Sequence, residues 1–132
     1  MTPALARRAQ LAACLLLALA TLIGAFGAHA LKARLDPDRY AVLQTAVQYQ
    51  FIHALGLLIL GTLALQAPLR ALNAAMLTLF TGILLFSGSL YMLLGGAPRW
   101  LGILTPLGGL CLIAGWLLTA WSLWRNRRAP AV

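Results

Sequence analysis

The chain has 132 residues, of which 62% are hydrophobic and only 9% are charged. A soluble domain carries about 25% charged residues, so this chain has too few polar side chains to cover a water-facing surface. The formal net charge is +8, but the basic residues lie between long apolar runs. This distribution excludes nucleic-acid binding and indicates a protein of the lipid bilayer, whose cations mark topology and contact anionic lipid head groups.

Four long apolar segments follow one another along the chain, at about residues 10–31, 49–66, 72–94 and 101–124. A helix needs about 20 apolar residues to cross the hydrocarbon core, and each segment is near that length. The alternating polarity of membrane β-strands is missing from all four segments. We therefore predict an all-α membrane protein, a bundle of four transmembrane helices that forms a single domain over residues 1–132.

The first apolar segment has two interpretations. Arg7 and Arg8 precede it, and the triplet Ala28-His29-Ala30 ends it, as in a cleavable secretory signal. The hydrophobic region of a signal peptide has about 7 to 15 residues, whereas this segment has about 22. We therefore expect residues 1–30 to be retained as the first transmembrane helix.

Small residues recur every four positions in the first and the fourth segments. Small side chains at this spacing allow two membrane helices to approach closely. The predicted packing faces consist of Ala20, Gly24 and Ala28 in the first segment, and of Cys111, Gly115 and Thr119 in the fourth.

Basic residues predict the orientation, because four spans place both termini on the same side of the membrane. Six basic residues lie on that side, namely Arg7, Arg8, Arg70, Arg125, Arg127 and Arg128, and four lie opposite, namely Lys32, Arg34, Arg39 and Arg99. Cytoplasmic loops carry the excess of Lys and Arg, so we expect cytoplasmic termini.

The second helix begins with a clear start signal. In "LDPDRY", Asp36 is the predicted N-cap, Pro37 takes the first helical position, and Asp38 lies in the first turn. A helix from Pro37 to Gln66 is about 45 Å long, which exceeds the hydrocarbon core. We therefore expect its first turns to form a short interfacial amphipathic stretch. The apolar stripe of that stretch consists of Tyr40, Leu43 and Val47.

Polar side chains gather where the first and second segments meet at one membrane surface. Tyr49, Gln50 and His53 share a helical face, and His29 lies near the end of the first segment. Polar groups within a span usually face the bundle interior, because exposing them to lipid is costly. We therefore predict one polar cluster, a candidate ligand site that consists of His29, Lys32, Gln44, Gln48, Tyr49, Gln50 and His53.

Three interpretations of this cluster are open. It can be a buried hydrogen-bond network between helices, which we favour because such polar contacts are commonly structural. It can hold a quinone, a haem or a metal between His29 and His53, although a zinc site normally has three or four protein ligands. It can also belong to a proton or solute pathway, with "LTPLGGL" at 104–110 as a broken helix. Against the pathway, Thr105 and Pro106 read as the cap and first position of an ordinary helix.

No enzymatic motif stands out. Cys14 and Cys111 lie in different segments without a neighbouring base, and neither a Cys-x-x-Cys nor a His-Glu-x-x-His pattern is present. Ser87 and Ser89 have no histidine beside them in the chain, so we expect them to bond to helix carbonyls or to another helix. We therefore predict that the protein is not an enzyme and has no resident cofactor.

Four blocks of the chain carry a family resemblance. They are "GAFGAHALK" (24–32), "QTAVQYQFIHALGLL" (44–58), "SGSLYML" (87–93) and "GILTPLGGLCLIAGWLL" (102–118). In this order they resemble the domain-of-unknown-function family 423, small bacterial multi-pass inner-membrane proteins similar also to transmembrane protein 256. The resemblance implies a four-helix membrane protein and assigns no catalytic residue. His29 and His53 fall within two of these blocks, which makes them the preferred site residues.

Two functions follow as expectations. The first is a structural or accessory membrane protein that packs with itself, as a homo-oligomer, or with a larger membrane complex. The second is a protein that handles a small ligand, an ion or a proton through the region of His29 and His53. In both cases we expect it in the bacterial inner membrane.

Overall fold

The computed structural model describes residues 3–67 and 70–126. Four helices run through them: α1 (Pro3–Phe26), α2 (Pro37–Gln66), α3 (Arg70–Leu94) and α4 (Leu104–Asn126). A π-helical turn, Gly27–Leu31, extends α1, and a 3-10 turn, Arg99–Ile103, precedes α4. All four helices are long and apolar enough to cross a membrane, and no strand occurs in the described ranges. The predicted four-helix membrane fold is confirmed.

The helices pack mainly as neighbours in the chain. α2 lies between α1 and α3, and α4 lies along α3, so α2 is the most buried helix. α4 also reaches α2 through one side chain: a Cβ atom added to Gly56 would lie 2.6 Å from Cη2 of Trp116. The outward faces of α1 and α4 therefore remain available to lipid or to another protein.

Every seventh residue of α1 meets α2. The buried residues on this inner face of α1 are Ala6, Ala13, Ala20 and Gly27. A seven-residue repeat of small side chains lets two helices lie close together along a shared seam. Of the predicted packing face, Ala20 is therefore buried, Gly24 lies at the edge of the seam, and Ala28 is exposed.

Glycines form the seam between α3 and α4. A Cβ atom on Gly82 would lie 2.9 Å from the backbone nitrogen of Leu112, and one on Gly115 would lie 2.7 Å from Cγ of Leu79. One on Gly108 would collide with the backbone of α3. The buried residues of α4 are Gly108, Leu112, Gly115, Thr119 and Ser122. Gly115 and Thr119 of the predicted face are thus buried, whereas Cys111 is partly exposed.

The start of α2 follows its sequence signal. Oδ1 of Asp36 accepts a hydrogen bond of 2.9 Å from the backbone N–H of Arg39, so the predicted N-cap is confirmed. The predicted amphipathic stretch is the first part of the continuous α2 helix. Its apolar stripe packs against the end of α1, because Cβ atoms on Gly24 and Gly27 would touch Val47 and Leu43.

The start of α4 differs from the prediction for Thr105. The helix begins at Leu104, directly after the 3-10 turn, so Thr105 already lies within its first turn. The hydroxyl of Thr105 instead shares a 2.7 Å hydrogen bond with Ser89 of α3. Thr105 is therefore not the N-cap, because its side chain bonds across the helix seam.

Candidate functional site

Gln50 joins three helices in the interior. Its side chain is 2% exposed, and its Nε2 donates a 2.7 Å hydrogen bond to the backbone oxygen of Leu16 in α1. Its Oε1 accepts a 2.7 Å hydrogen bond from the hydroxyl of Tyr91 in α3. Both ends of the amide therefore have partners on neighbouring helices, which is the arrangement that a buried polar group in a membrane requires.

The buried serines complete this polar interior. Ser87 donates a 2.8 Å hydrogen bond to the backbone oxygen of Ala46 in α2. Ser89 donates to the backbone oxygen of Phe86 and also bonds to Thr105. The expectation that Ser87 and Ser89 bond to helix carbonyls and across to another helix is therefore confirmed. Neither serine has the general base that a nucleophile needs among these partners.

His53 lies in an aromatic setting between α2 and α4. Its side chain is 8% exposed, and its Nδ1 lies 2.7 Å from the backbone oxygen of Tyr49. A carbonyl oxygen can only accept, so Nδ1 carries the proton and Nε2 keeps its lone pair. The rings of Tyr49 and Trp116 flank the imidazole, with centroids at 5.5 and 6.2 Å. Tyr49 in turn stacks on Phe86 at 4.4 Å.

His29 and His53 do not share a site, which corrects the predicted cluster. His29 lies on the exposed side of the π-helical turn. The contact of Gly27 with Leu43 sets the register of α1 against α2. His53 lies ten residues beyond Leu43, or about 15 Å further along α2. The two histidines therefore lie at different depths in the membrane. The end of the first span is level with Leu43 of α2 and not with His53.

The other predicted residues form a second group at a groove between α1 and α2. Gln44 and Gln48 are exposed and line this groove together with Gly24 and Ala28. Lys32 follows the π-helical turn and is exposed. The structure thus divides the predicted cluster. Gln50 and His53 are interior, with the exposed Tyr49 stacked beside His53, Gln44 and Gln48 line the groove, and His29 and Lys32 are exposed near its end.

The chemical options of the interior residues Gln50 and His53 are limited. Within residues 3–67 and 70–126, no three His, Cys, Asp or Glu side chains are placed to hold one metal ion. A haem or a quinone would have to approach His53 through the rings of Tyr49 and Trp116. The geometry is that of hydrogen bonding between helices. The lone pair on Nε2 of His53 takes no part in these bonds.

Three groups that contact the interior residues were not predicted from the sequence. Tyr91 follows Ser87 by one helical turn in the "SGSLYML" block, a spacing that could have placed both on the α2 side of α3. Trp116 carries no comparable signal, because an aromatic residue in a span is equally typical of a lipid-facing position. The backbone oxygen of Leu16 carries none either, since every residue has one.

One family model and several relatives match this chain. The model, described as "Protein of unknown function (DUF423)", matches residues 23–109. The chain is 44% identical to a UPF0382 membrane protein of Staphylococcus haemolyticus, over 81% of this chain and 85% of the relative. It is 44% identical to the UPF0382 membrane protein YwdK of Bacillus subtilis, over 76% and 82%. It is 33% identical to one from Haemophilus influenzae, over 80% and 84%. No solved structure matches at a significant level.

Proposed function

The chain belongs to the family of proteins of unknown function DUF423, and we propose that it is a structural or accessory membrane protein. Its polar interior carries the proposal. The side chains of Gln50, Ser87 and Tyr91 all bond to neighbouring helices within the chain. Groups engaged in this way stabilise the bundle and are not free to act on a substrate. The proposal therefore includes no enzymatic step.

The outer face of α1 supports packing with a second copy. A stripe of small, exposed residues runs along this face, namely Cys14, Ala18, Thr21 and Ala25. Small residues at such spacing favour close helix contacts, whereas a purely lipid-facing helix does not need them. Large exposed side chains flank this stripe on α1, such as Leu11, Leu15 and Leu22, whereas the exposed face of α4 carries large side chains such as Leu117 and Trp121. We therefore propose a homo-oligomer in which α1 faces α1.

Cys14 offers a direct test of this oligomer. It is exposed on the outer face of α1, whereas Cys111 of α4 is only partly exposed. Mild oxidation of membranes that contain the Cys111→Ser variant should give a disulfide-linked dimer, because two α1 helices bring their Cys14 thiols together. The matched Cys14→Ser variant should give none.

Native mass spectrometry of the unoxidised protein should give a dimer or a higher oligomer under the same conditions. A monomer in native mass spectrometry, together with no Cys14 cross-link, would reject self-association. If native mass spectrometry shows other proteins bound in a fixed ratio, the accessory role stands and the protein belongs to a larger membrane complex.

A small-ligand function is the second candidate, and His53 favours it. In the described part of the chain, Nε2 of His53 has no hydrogen-bond partner, so its lone pair could bind a ligand atom. A purified sample should then contain a haem, a quinone or a metal that is absent from both His53→Gln and His53→Leu. If only His53→Leu changes the protein, and only its stability, the imidazole has a structural role.

We further propose that the protein lies in the bacterial inner membrane with cytoplasmic termini. The excess of basic residues on the terminal side supports this orientation, although Arg127 and Arg128 lie outside the described residues. A C-terminal alkaline phosphatase fusion should be inactive, and a C-terminal fluorescent-protein fusion should be bright. The opposite pattern would reverse the topology.

A further inference from the structure

An open groove lies on the side of the bundle where α1 ends and α2 begins. Its volume is about 520 Å³. The walls include Gly24, Ala28, Gln44, Val47, Gln48 and Phe51. The glycine and the alanine leave space on the α1 side, while Val47 and Phe51 supply an apolar floor. The shape and the apolar floor suit an acyl chain.

Two side-chain amides lie in the groove. Gln44 and Gln48 are both exposed, and the side-chain hydrogen bonds seen along α2 belong to other residues, namely Thr45, Gln50, His53 and Thr62. They lie four residues apart on α2, so their side chains are neighbours on one helical face. A polar group at the membrane is costly unless it is hydrogen-bonded. The ester carbonyls of a phospholipid would accept hydrogen bonds from both amide NH₂ groups.

A cation stands beside the groove. The backbone N–H of Lys32 donates a 2.9 Å hydrogen bond to the oxygen of Gly27, which also lines the groove. This bond holds Lys32 close to the groove wall, and its flexible stem leaves the ammonium free to move. Arg39 is engaged elsewhere, because its guanidinium donates to the backbone oxygen of Leu94. Asp36 is engaged as well, as the N-cap of α2.

We propose that this groove binds one anionic phospholipid. The phosphate lies at Lys32, the ester carbonyls accept from Gln44 and Gln48, and an acyl chain lies over Val47 and Phe51. Phe51, the two glutamines and Lys32 follow one another from the membrane interior to its surface, in the order in which a phospholipid presents its acyl chain, esters and phosphate, and Val47 lies between the glutamines. This site goes beyond the proposed oligomer and lies at the end of α1, where Ala28 follows the stripe of small residues by one turn.

Photolabelling of the full-length protein tests the site. The protein is reconstituted in phosphatidylcholine vesicles that contain a trace of phosphatidylglycerol with a diazirine in its acyl chain. Label should appear on the peptides around Ala28 and Phe51. Ala28→Leu should reduce this label, because the larger side chain fills the groove. Ala120→Leu, on the exposed face of α4, is the matched control and should label normally.

Further variants distinguish the contribution of the Lys32 cation from that of the two glutamine amides. Phosphatidylglycerol should label about fivefold more strongly than phosphatidylcholine with the same diazirine chain, since one Lys near the surface contributes about that factor. Lys32→Gln should abolish this preference, and Arg99→Gln, an exposed cation at the same end, should keep it. The Gln44→Leu, Gln48→Leu double variant should reduce the labelling by both lipids.

Three outcomes would overturn the proposal. Label spread evenly over the outer faces of α1 and α4 would mean that no site selects a lipid. Equal labelling by the two lipids would reject the anionic headgroup. If Ala28→Leu does not fold, the glutamine double variant decides, and normal labelling of that variant would reject the groove.

Discussion

The two outer seams of the bundle are built in different ways. Between α3 and α4, Gly82, Gly108 and Gly115 bring one helix close to the backbone or side chains of the other. Between α1 and α2, alanines, Gly27 and Gly61 are combined with two side-chain hydrogen bonds, from Gln50 to the oxygen of Leu16 and from Gln10 to Thr62. Membrane helices associate by close packing and by polar contacts, because lipid provides no hydrophobic driving force between them. The glycine seam is continuous, whereas the alanine seam leaves an open groove at one end.

The second hydrogen bond of the α1–α2 seam lies near the opposite end. Nε2 of Gln10 donates a 3.1 Å hydrogen bond to Oγ1 of Thr62, and Thr62 donates onward to the oxygen of Leu58. Gly61 precedes Thr62 and allows α1 to approach closely, since a Cβ atom on Gly61 would lie 3.1 Å from the backbone oxygen of Ala6. Side-chain hydrogen bonds therefore hold α1 against α2 at two levels of the membrane.

Gly108→Ala should have the largest effect, because it breaks the glycine seam. The new Cβ would collide with the backbone of α3 at Leu85 and Phe86, which cannot move aside as a side chain can. Overpacking of this kind costs about 1 to 3 kcal/mol. The free energy of unfolding in detergent is the measurement. Gly88→Ala is the control, since a Cβ there meets nothing within 4 Å. Equal stability of the two variants would mean that α4 lies further from α3.

Gln50→Leu should have the next largest effect, because it breaks the polar junction of α1, α2 and α3. The change keeps a similar volume but leaves the buried hydroxyl of Tyr91 without its acceptor. A buried polar group without a partner costs about 1 to 3 kcal/mol. A double-mutant cycle with Tyr91→Phe sharpens the measurement. The double variant should lose less stability than the two single variants together, because Tyr91→Phe removes the orphaned hydroxyl. Simple additivity would contradict the bond.

The sequence predicts those features of this fold that depend on neighbouring residues. Long apolar runs predict the four helices, and the Asp36–Pro37 pair predicts the start of α2, because both signals are local. The predicted pairing of His29 with His53 is wrong for a non-local reason. It depends on the register of two helices, which is set by the contact of Gly27 with Leu43. Gln50 is a predicted site residue, but its partner Tyr91 lies 41 residues away, and the spacing of Tyr91 from Ser87 indicates only the side of α3 on which it lies.

The smallest expected effects come from two buried serines, one that bonds between α3 and α2 and one in the α3–α4 seam. Ser87 donates to the oxygen of Ala46 in α2, whereas Ser122 is 4% exposed and its hydroxyl has no partner in the described part of the chain. Ser87→Ala should destabilise the bundle by about 0.6 kcal/mol, the average for such bonds between membrane helices. Ser122→Ala should be neutral or slightly stabilising, because it removes a buried hydroxyl that makes no bond.

Thermal melting of both serine variants in the same detergent gives the comparison. Ser122 lies on the buried face of α4, so the α3–α4 seam contains a hydroxyl whose desolvation is not offset within the described part of the chain. Glycine packing has to outweigh that loss, which is consistent with the large effect expected for Gly108→Ala. If Ser122→Ala instead destabilises as much as Ser87→Ala, the Ser122 hydroxyl has a partner outside the chain. The α3–α4 seam would then contain a polar contact in addition to the Ser89–Thr105 hydrogen bond.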